Sequence, residues 1–198
     1  MYTFKRLPFY AIALATLAFA SCESEDPVME NEEEVITDVT LSFTELNATG
    51  DPVGTTVSFK ASDPQGIELG TAPTIETVNL IKGKTYRMEI TVSNAIANED
   101  ITAEILAEGD EHQFYFLGNA FSSSILSIAY DDPGTELIGL RTKVNVSIST
   151  GTNNTQMQVI LRHDLDKSYP GATNPNFTNY AQAGGESDLD ITFPIVLN

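Results

Sequence analysis

The amino-acid sequence predicts an all-β fold, an antiparallel β-sandwich of about eight or nine strands with one short helix. Apolar and polar residues alternate with a period of two in one short segment after another beyond residue 35, which indicates strands with one buried face. Clusters of Gly, Pro, Asn and Asp separate these segments at turns. We therefore expect residues 35–198 to form a single β-sandwich domain.

The first predicted strand begins at Thr37, after which Val39, Leu41 and Phe43 alternate with polar residues. Successive side chains of a strand point to opposite sides of its sheet, so these residues share one face. The same alternation, or a short β-branched or aromatic run, predicts further strands at 57–61, 85–93, 112–117, 124–130, 140–149, 157–163 and 189–193. We expect the last strand to end near Pro194, because proline cannot donate to a strand ladder.

One segment departs from the period of two. Asn98 is placed to cap a short helix over 99–108, with Ile101 and Ile105 on its buried side. The longest irregular segment is 164–187, which is rich in Asp, Asn, Pro and Gly. A loop of this length in a compact domain is either functional or disordered.

The start of the chain has the pattern of a targeting segment. Two basic residues precede the apolar run 7–20, and small residues come directly before Cys22. This predicts a secretory signal peptide over 1–21, since the run of about 14 apolar residues is short for a membrane span. Its end resembles a bacterial lipobox, which implies that Cys22 is lipidated and anchors the mature protein to a membrane. The alternative is an unmodified cysteine beside an uncleaved segment.

The segment 22–34 combines the predicted lipidated cysteine with an acidic, nearly apolar-free stretch, which predicts a flexible tether. Acidic residues directly after the lipid cysteine resemble the surface-export signal of Bacteroidota lipoproteins. We therefore expect a protein anchored in the outer membrane and displayed on the cell surface. A plain linker facing the periplasm is the alternative.

Composition excludes several classes of function. The chain has 10 basic and 28 acidic residues and a net charge of −18, so we expect no nucleic-acid binding, which requires Lys and Arg contacts to phosphate. Anionic lipid would repel the chain, so acyl chains must supply membrane attachment. Cys22 is the single cysteine and allows no disulfide. The chain lacks nucleophile-elbow and zinc-protease motifs, so we expect no enzyme, although a paired-carboxylate hydrolase stays open.

Two histidines are the strongest candidates for binding chemistry. His112 and His163 each lie at the end of a predicted strand, on its inward face and beside acidic residues. If their strands are neighbours, the two rings could converge with Glu186, and Glu108 or Asp188 could complete or orient the site. Imidazole and carboxylate ligands suit Zn²⁺ or Fe²⁺. The alternative is a pair of ordinary histidines that are hydrogen-bonded to nearby carboxylates.

Two further sets of residues are weaker candidates. Asp164, Asp166 and the Asp-Asp turn at 131–132 offer oxygen ligands for Ca²⁺, without the spacing of a calcium-binding loop. The 164–187 loop carries three aromatic residues that could contact a glycan or a protein, or could fold down onto the edge of the core; they are Tyr169, Phe177 and Tyr180.

Several stretches together resemble a known family. They are Cys-Glu-Ser-Glu-Asp at 22–26, Glu-Val-Ile-Thr at 34–37, Asp-Glu-His-Gln-Phe at 110–114, Leu-Arg-His at 161–163 and Ala-Gly-Gly-Glu-Ser-Asp at 183–188. In this order they resemble small flavobacterial (Bacteroidota) lipoproteins that carry the label "type 1 periplasmic binding fold superfamily" and accompany TonB-dependent outer-membrane receptors. The label names an α/β fold, whereas the period of two favours an all-β domain.

The resemblance implies a lipoprotein partner of a nutrient importer. We therefore expect non-catalytic binding of a metal ion or small ligand, as an accessory to TonB-dependent uptake. The alternative is a structural or adhesive surface module that makes contacts through the 164–187 loop.

Overall fold

Two β-sheets lie face to face in the computed structural model, which describes residues 35–67, 69 and 72–198. This part of the chain contains ten strands, which are β1 (Asp38–Leu46), β2 (Pro52–Ser62), β3 (Thr74–Ile75), β4 (Val78–Leu80), β5 (Thr85–Ser93), β6 (Gln113–Leu117), β7 (Leu126–Tyr130), β8 (Arg141–Val146), β9 (Asn154–His163) and β10 (Glu186–Leu197). The larger sheet has the order β3-β2-β1-β5-β8-β7, and the smaller has the order β4-β10-β9-β6. The predicted all-β sandwich is confirmed.

A single hydrophobic core fills the space between the sheets. Alternate residues of each strand point inward, as the period of two predicts. The large sheet contributes Val39, Leu41, Phe43, Met88 and Ile90, and the small sheet contributes Phe114, Phe116, Val159, Leu161 and Phe193. Full burial of such a side chain contributes about 1.5–3 kcal/mol, so this core is the main source of stability for a domain with no disulfide.

The structure differs in two details from the predicted antiparallel sandwich with a last strand that ends near Pro194. Strands β4 and β10 pair in parallel, and β10 continues through Pro194 to Leu197. Strand β4 pairs with β10 only from Ile195 onward, so the missing N–H of Pro194 removes no bond on that side. The short strands β3 and β4 were not predicted because two or three residues show no periodicity. The strand predicted over 140–149 ends at Val146.

The predicted helix exists but is shorter and has a different cap. Helix α1 covers Ile101–Ala107, and the side chain of Asp100 accepts a hydrogen bond from the backbone N–H of Ala103. Asn98 does not cap this helix; it has a φ of +60° in the preceding turn. Ile101 and Ile105 are buried, as predicted. A single helical turn, α2 (Asn119–Ser122), and a 3₁₀ turn at Tyr180–Ala183 are additional.

The 164–187 loop packs against the outer face of the small sheet. Tyr115, Ile160 and Leu165 form a second buried cluster there. The Tyr115 hydroxyl and the Gln113 side-chain amide both donate to the carbonyl oxygen of Ala172, at 2.8 and 2.6 Å. Buried hydrogen bonds of this kind fix a loop in one conformation, so the segment that follows the histidine of β9 has a defined course.

The described residues belong to one compact unit, Glu33–Asn198. Within them, no helix is long and apolar enough to span a bilayer. The predicted signal peptide at 1–21, the lipidation site at Cys22 and the acidic tether at 22–34 lie outside the described residues and stay predictions.

Candidate metal site at the histidine pair

Two neighbouring strands bring the histidines together at one end of the small sheet. In the antiparallel pairing of β6 and β9, Gln113 lies opposite Arg162, which puts His112 beside His163. The two imidazole rings stack, with ring centroids 4.3 Å apart and ring planes inclined by 4°. Both side chains belong to inward-facing positions of their strands, so the pair closes one end of the sandwich interior.

A tight turn after helix α1 holds His112. Its backbone N–H donates to the carbonyl oxygen of Glu108 at 3.1 Å, and its ring Nδ1 lies 3.3 Å from the same oxygen. A carbonyl oxygen can only accept, so this contact places the ring proton on Nδ1 and leaves a lone pair on Nε2. The side chain of His112 is fully buried.

Nε2 of His112 faces a buried carboxylate. Asp188 lies at a register shift of β10 between Ser187 and Leu189, and its Oδ2 is 3.9 Å from the His112 Nε2. Only 10% of the Asp188 side chain is exposed. Among the described residues neither atom has a hydrogen-bond partner, and 3.9 Å is too long for a bond between them. Such buried, unsatisfied polar atoms are rare and costly.

Three exposed carboxylates surround the pair on its solvent side. Glu111 Oε2 and Asp164 Oδ1 each lie 3.7 Å from His163 Nε2, and Glu108 Oε2 lies 3.8 Å from His112 Nδ1. Two sets of three residues therefore have ligand atoms within 4.8 Å of one another: Glu108 with both histidines, and Glu111 with His163 and Asp164.

The electrostatics of the site follow from its burial. Burial lowers the pKa of His112, and the nearby His163 lowers it further. Burial raises the pKa of Asp188 to about 6, against the opposing influence of His163 and Arg162. His112 is therefore neutral near pH 7, which is the protonation state that binds metal ions.

Arg162 and Gly185 fix the segment that carries Asp188. The Arg162 guanidinium donates to the carbonyl oxygens of Gly184 and Gly185 and, at 2.7 Å, to the hydroxyl of Ser187. A Cβ atom on Gly185 would lie 2.0 Å from the carbonyl oxygen of His163. The backbone at residue 185 can therefore approach the end of β9 this closely only if the residue is glycine.

Arg162 and Gly185 were not predicted as site residues from the sequence. The available signals were a charged residue between the apolar run of β9 and His163, and the adjacent glycines at 184–185. Arg162 and Gly185 lie next to the predicted site residues His163 and Glu186. Their role depends on the contact between the 164–187 loop and β9, which the periodicity of the sequence does not reveal.

The predicted ligands differ in their positions. Glu108 and Asp188 each lie beside His112, at 3.8 and 3.9 Å. Glu186 lies opposite His163 in the β9–β10 pairing, but its side chain is exposed, whereas that of Asp188 is 10% exposed. Neither residue belongs to the two sets of three ligands. The geometry therefore favours Asp188 over Glu186 as the acidic partner of the histidines.

The three aromatic residues of the loop are half-buried. The ring centroid of Tyr115 lies 5.8 Å from that of Tyr180 and 6.2 Å from that of Phe177, and Tyr169 lies 6.1 Å from Phe177. Arg162 lies over the Tyr180 ring at 5.5 Å. Part of the surface of each ring is therefore buried in contacts that attach the loop to the small sheet.

Most of the acids considered for Ca²⁺ have local partners. Asp131 pairs with Arg141 at 3.1 Å, and Asp132 accepts three backbone N–H bonds from the turn that follows it. Asp166 accepts from the N–H and hydroxyl of Ser168. These bonds are those of ordinary turns, and Asp164 alone lies at the histidine pair.

Comparison with known proteins adds no identification. No protein-family model, curated protein or solved structure matches this chain.

Proposed function

We propose that this protein is a non-catalytic, lipid-anchored envelope protein that binds a divalent transition metal ion, Zn²⁺ or Fe²⁺, at the His112–His163 pair. The observation that carries the proposal is the pair of buried atoms that face each other, His112 Nε2 and Asp188 Oδ2, without hydrogen-bond partners among the described residues. A bound cation would satisfy both atoms, since one offers a lone pair and the other a negative charge.

The separations in the site support this reading. The distances from the two imidazole Nε2 atoms to carboxylate oxygens range from 3.7 to 3.9 Å, which is beyond hydrogen-bond length. Two atoms that each lie about 2.1 Å from one tetrahedral zinc ion are about 3.4 Å apart. The Glu108 carbonyl oxygen beside Nδ1 of His112 is also the kind of outer partner that metal-binding histidines use to fix their orientation.

The stacked rings set a condition on binding. The lone pair of an imidazole nitrogen lies in the plane of its ring, and the two planes are nearly parallel. One ion cannot lie in both planes, so one ring must rotate for both histidines to bind it. His163 is the ring that moves, because 15% of its side chain is exposed whereas that of His112 is fully buried.

The expected envelope location gives the metal site its context. The lipobox-like end at Cys22 and the acidic segment after it support attachment to the outer membrane, with surface display. The net charge of −18 raises the local concentration of cations. In this proposal the tether allows the domain to present a metal ion, free or in a small complex, to a TonB-dependent receptor.

Thermal unfolding of the full-length protein with Zn²⁺, Fe²⁺, Cu²⁺ and Ca²⁺, each against a chelator, tests the proposal. An ion present at 100 times its Kd stabilises the folded state by about 2.7 kcal/mol, which raises Tm by roughly 5 °C or more for a domain of this size. We expect such a shift with Zn²⁺ or Fe²⁺. His163→Ala and Asp188→Asn should each remove most of it.

The matched control is Glu104→Gln, which removes an exposed carboxylate of helix α1 outside the site and should keep the full shift. His112→Ala is an additional variant. Because His112 is fully buried, its removal leaves a cavity that lowers Tm without metal. The quantity to compare with wild type is therefore the change in Tm that the metal ion causes. A shift with Ca²⁺ alone would contradict the histidine site. The absence of any shift would also contradict it and would favour the structural or adhesive module that uses the 164–187 loop.

A further inference from the structure

A cavity lies on the outer face of the large sheet, and none of its lining residues belongs to the histidine site. Its volume is about 750 Å³, which is the size of a pocket for a small organic molecule. We call it the β5 cleft. Its lining includes Ser42, Glu89, Thr91, Leu106, Glu136 and Leu140.

The floor of the β5 cleft is a row of residues across three strands. Ser42 of β1 pairs with Glu89 of β5, and Glu89 pairs with Arg141 of β8. Residues that pair in this way point to the same face of a sheet. The floor is therefore part of the rigid sandwich.

The loop 131–140 forms one wall, and the side chains of Asp132 and Lys167 both bond to its backbone. The carboxylate of Asp132 accepts hydrogen bonds from the backbone N–H groups of Ile138, Gly139 and Arg141, at 3.2, 2.8 and 3.0 Å. A carboxylate that accepts three N–H bonds fixes the loop, so the cleft is formed before any ligand binds.

The opposite wall provides an apolar surface. Leu106 on helix α1 lines the cleft with 60% of its surface exposed, although its helix is otherwise anchored by Ile101 and Ile105. Leu140 and Pro133 extend the apolar lining from the facing loop. An exposed leucine that faces other apolar groups across a cavity is suited to hold the body of a ligand.

The charges of the cleft are unevenly satisfied. The Arg141 guanidinium donates to the Asp131 carbonyl oxygen at 2.5 Å and pairs with the Asp131 carboxylate, and Asp132 is bonded to its own loop. Among the described residues, Glu89 and Glu136 form no ion pair with any Lys, Arg or His. The cleft therefore presents two carboxylates that form no salt bridge, although Lys167 interacts electrostatically with Glu136 and Arg141 lies opposite Glu89 in the sheet.

We propose that the β5 cleft binds a small organic cation, an ammonium group on an apolar alkyl or aryl body. The apolar body lies between Leu106 and Leu140, and the ammonium group lies by Glu89 and Glu136. The negative charge of the whole chain favours such a ligand over a neutral or anionic one. This site is independent of the proposed metal site.

Three probes with one aromatic body test the proposal: 1-naphthylmethylammonium, 1-naphthylmethanol and 1-naphthoate. Calorimetric titration of the full-length protein at low salt should give roughly fivefold tighter binding of the cation than of the alcohol, since an exposed ion pair contributes up to about that factor. The anion should bind more weakly than the alcohol. Leu106→Ala should weaken binding of both the cation and the alcohol.

Charge variants locate the ammonium group. Glu89→Gln and Glu136→Gln should each weaken the cation by roughly twofold to fivefold and leave the alcohol unchanged. Glu104→Gln, on the same helix as Leu106 but outside the cleft, should change neither, and His112→Ala should also change neither. Equal binding of the three probes, no binding of the cation, or equal effects of Glu89→Gln and Glu104→Gln would overturn the proposal.

Discussion

Asp38 and Asp188 are two aspartates with nearly the same exposure and opposite environments. The Asp38 side chain is 12% exposed and that of Asp188 is 10% exposed. Asp38 accepts from Lys60 at 2.7 Å, from Ser62 at 2.6 Å and from Thr37 at 3.0 Å. Asp188 has a buried oxygen with no partner among the described residues.

Their pKa values move in opposite directions for this reason. Burial is the largest influence on Asp38 and raises its pKa, but the bonds from Lys60, Ser62 and Thr37 together outweigh burial and leave the pKa below its ordinary value. Burial raises the pKa of Asp188 to about 6 because no comparable set of donors opposes it. A buried carboxylate with a complete set of partners is a structural group, whereas one that lacks them indicates a site for a ligand.

The largest expected effect tests how the Asp188 segment is held. Gly185→Ala places a Cβ 2.0 Å from the His163 carbonyl oxygen, so we expect a loss of more than about 4 kcal/mol in the free energy of unfolding. Gly184→Ala is the matched control, because Gly184 also has a positive φ of +81° but has no atom within 4 Å of the new Cβ. It should cost about 1–2 kcal/mol. Equal losses, measured by urea unfolding, would show that the clash does not exist.

The next effect is the pH dependence of Asp188. Its folded-state pKa of about 6 is above the ordinary 3.8, so its contribution to stability is complete below pH 3.8 and is lost as pH rises through 6. The loss corresponds to about 3 kcal/mol. With a chelator present, Asp188→Asn should therefore be more stable than wild type at pH 8, by up to that amount, and nearly equal at pH 4.

Chemical unfolding of both proteins at the two pH values measures this difference. With saturating Zn²⁺ the order at pH 8 should reverse, because the variant lacks a metal ligand. A variant that is less stable than wild type at pH 8 without metal would mean that Asp188 has a partner and is a structural carboxylate like Asp38.

Asp38→Asn is the contrasting substitution and should destabilise the protein. Removing the charge weakens the bonds to Lys60 and Ser62, so we expect a loss of about 1–3 kcal/mol at pH 7. Because the folded-state pKa of Asp38 is lowered, this contribution is present above pH 3.8 and is lost as pH falls below it. The difference in unfolding free energy between wild type and variant should therefore shrink in acid. A difference that stays constant from pH 7 to pH 2.5 would contradict the assignment.

The smallest expected effect is the loss of one of the two hydrogen bonds to the Ala172 carbonyl oxygen. Tyr115→Phe removes the hydroxyl that donates to the Ala172 carbonyl oxygen, but Gln113 continues to donate to the same oxygen. We expect a loss of about 0.5–1 kcal/mol in unfolding free energy. A loss above about 2 kcal/mol would indicate that the hydroxyl, and not the amide, holds the loop.

The fold was largely predictable because it depends on local periodicity. The inward positions of β1, β5 and β9 follow from alternation alone, and strand β5 has the predicted bounds of 85–93. The cap of helix α1 was misplaced because Asn98 and Asp100 are equally good capping residues, and the backbone φ of Asn98 decides between them. The parallel pairing of β4 with β10 joins distant segments and leaves no local signal.

The site was predictable in composition but not in geometry. His112 and His163 were expected to converge because each lies where an inward strand face meets a loop. The choice of Asp188 over Glu186 depends on the register shift at Ser187–Leu189, and a one-residue shift exchanges the faces of a strand. Arg162 was missed because its partners are backbone carbonyls across the loop.

Imidazole nitrogen NMR of the ¹⁵N-labelled full-length protein, with and without Zn²⁺, tests the central claim most directly. The chain has two histidines, so His112→Ala and His163→Ala assign every signal. We expect Zn²⁺ to shift nitrogen signals of both rings to values typical of metal ligation, with Nε2 as the ligand of His112 and its Nδ1 still protonated. Unchanged signals from both rings at saturating Zn²⁺ would contradict the metal site.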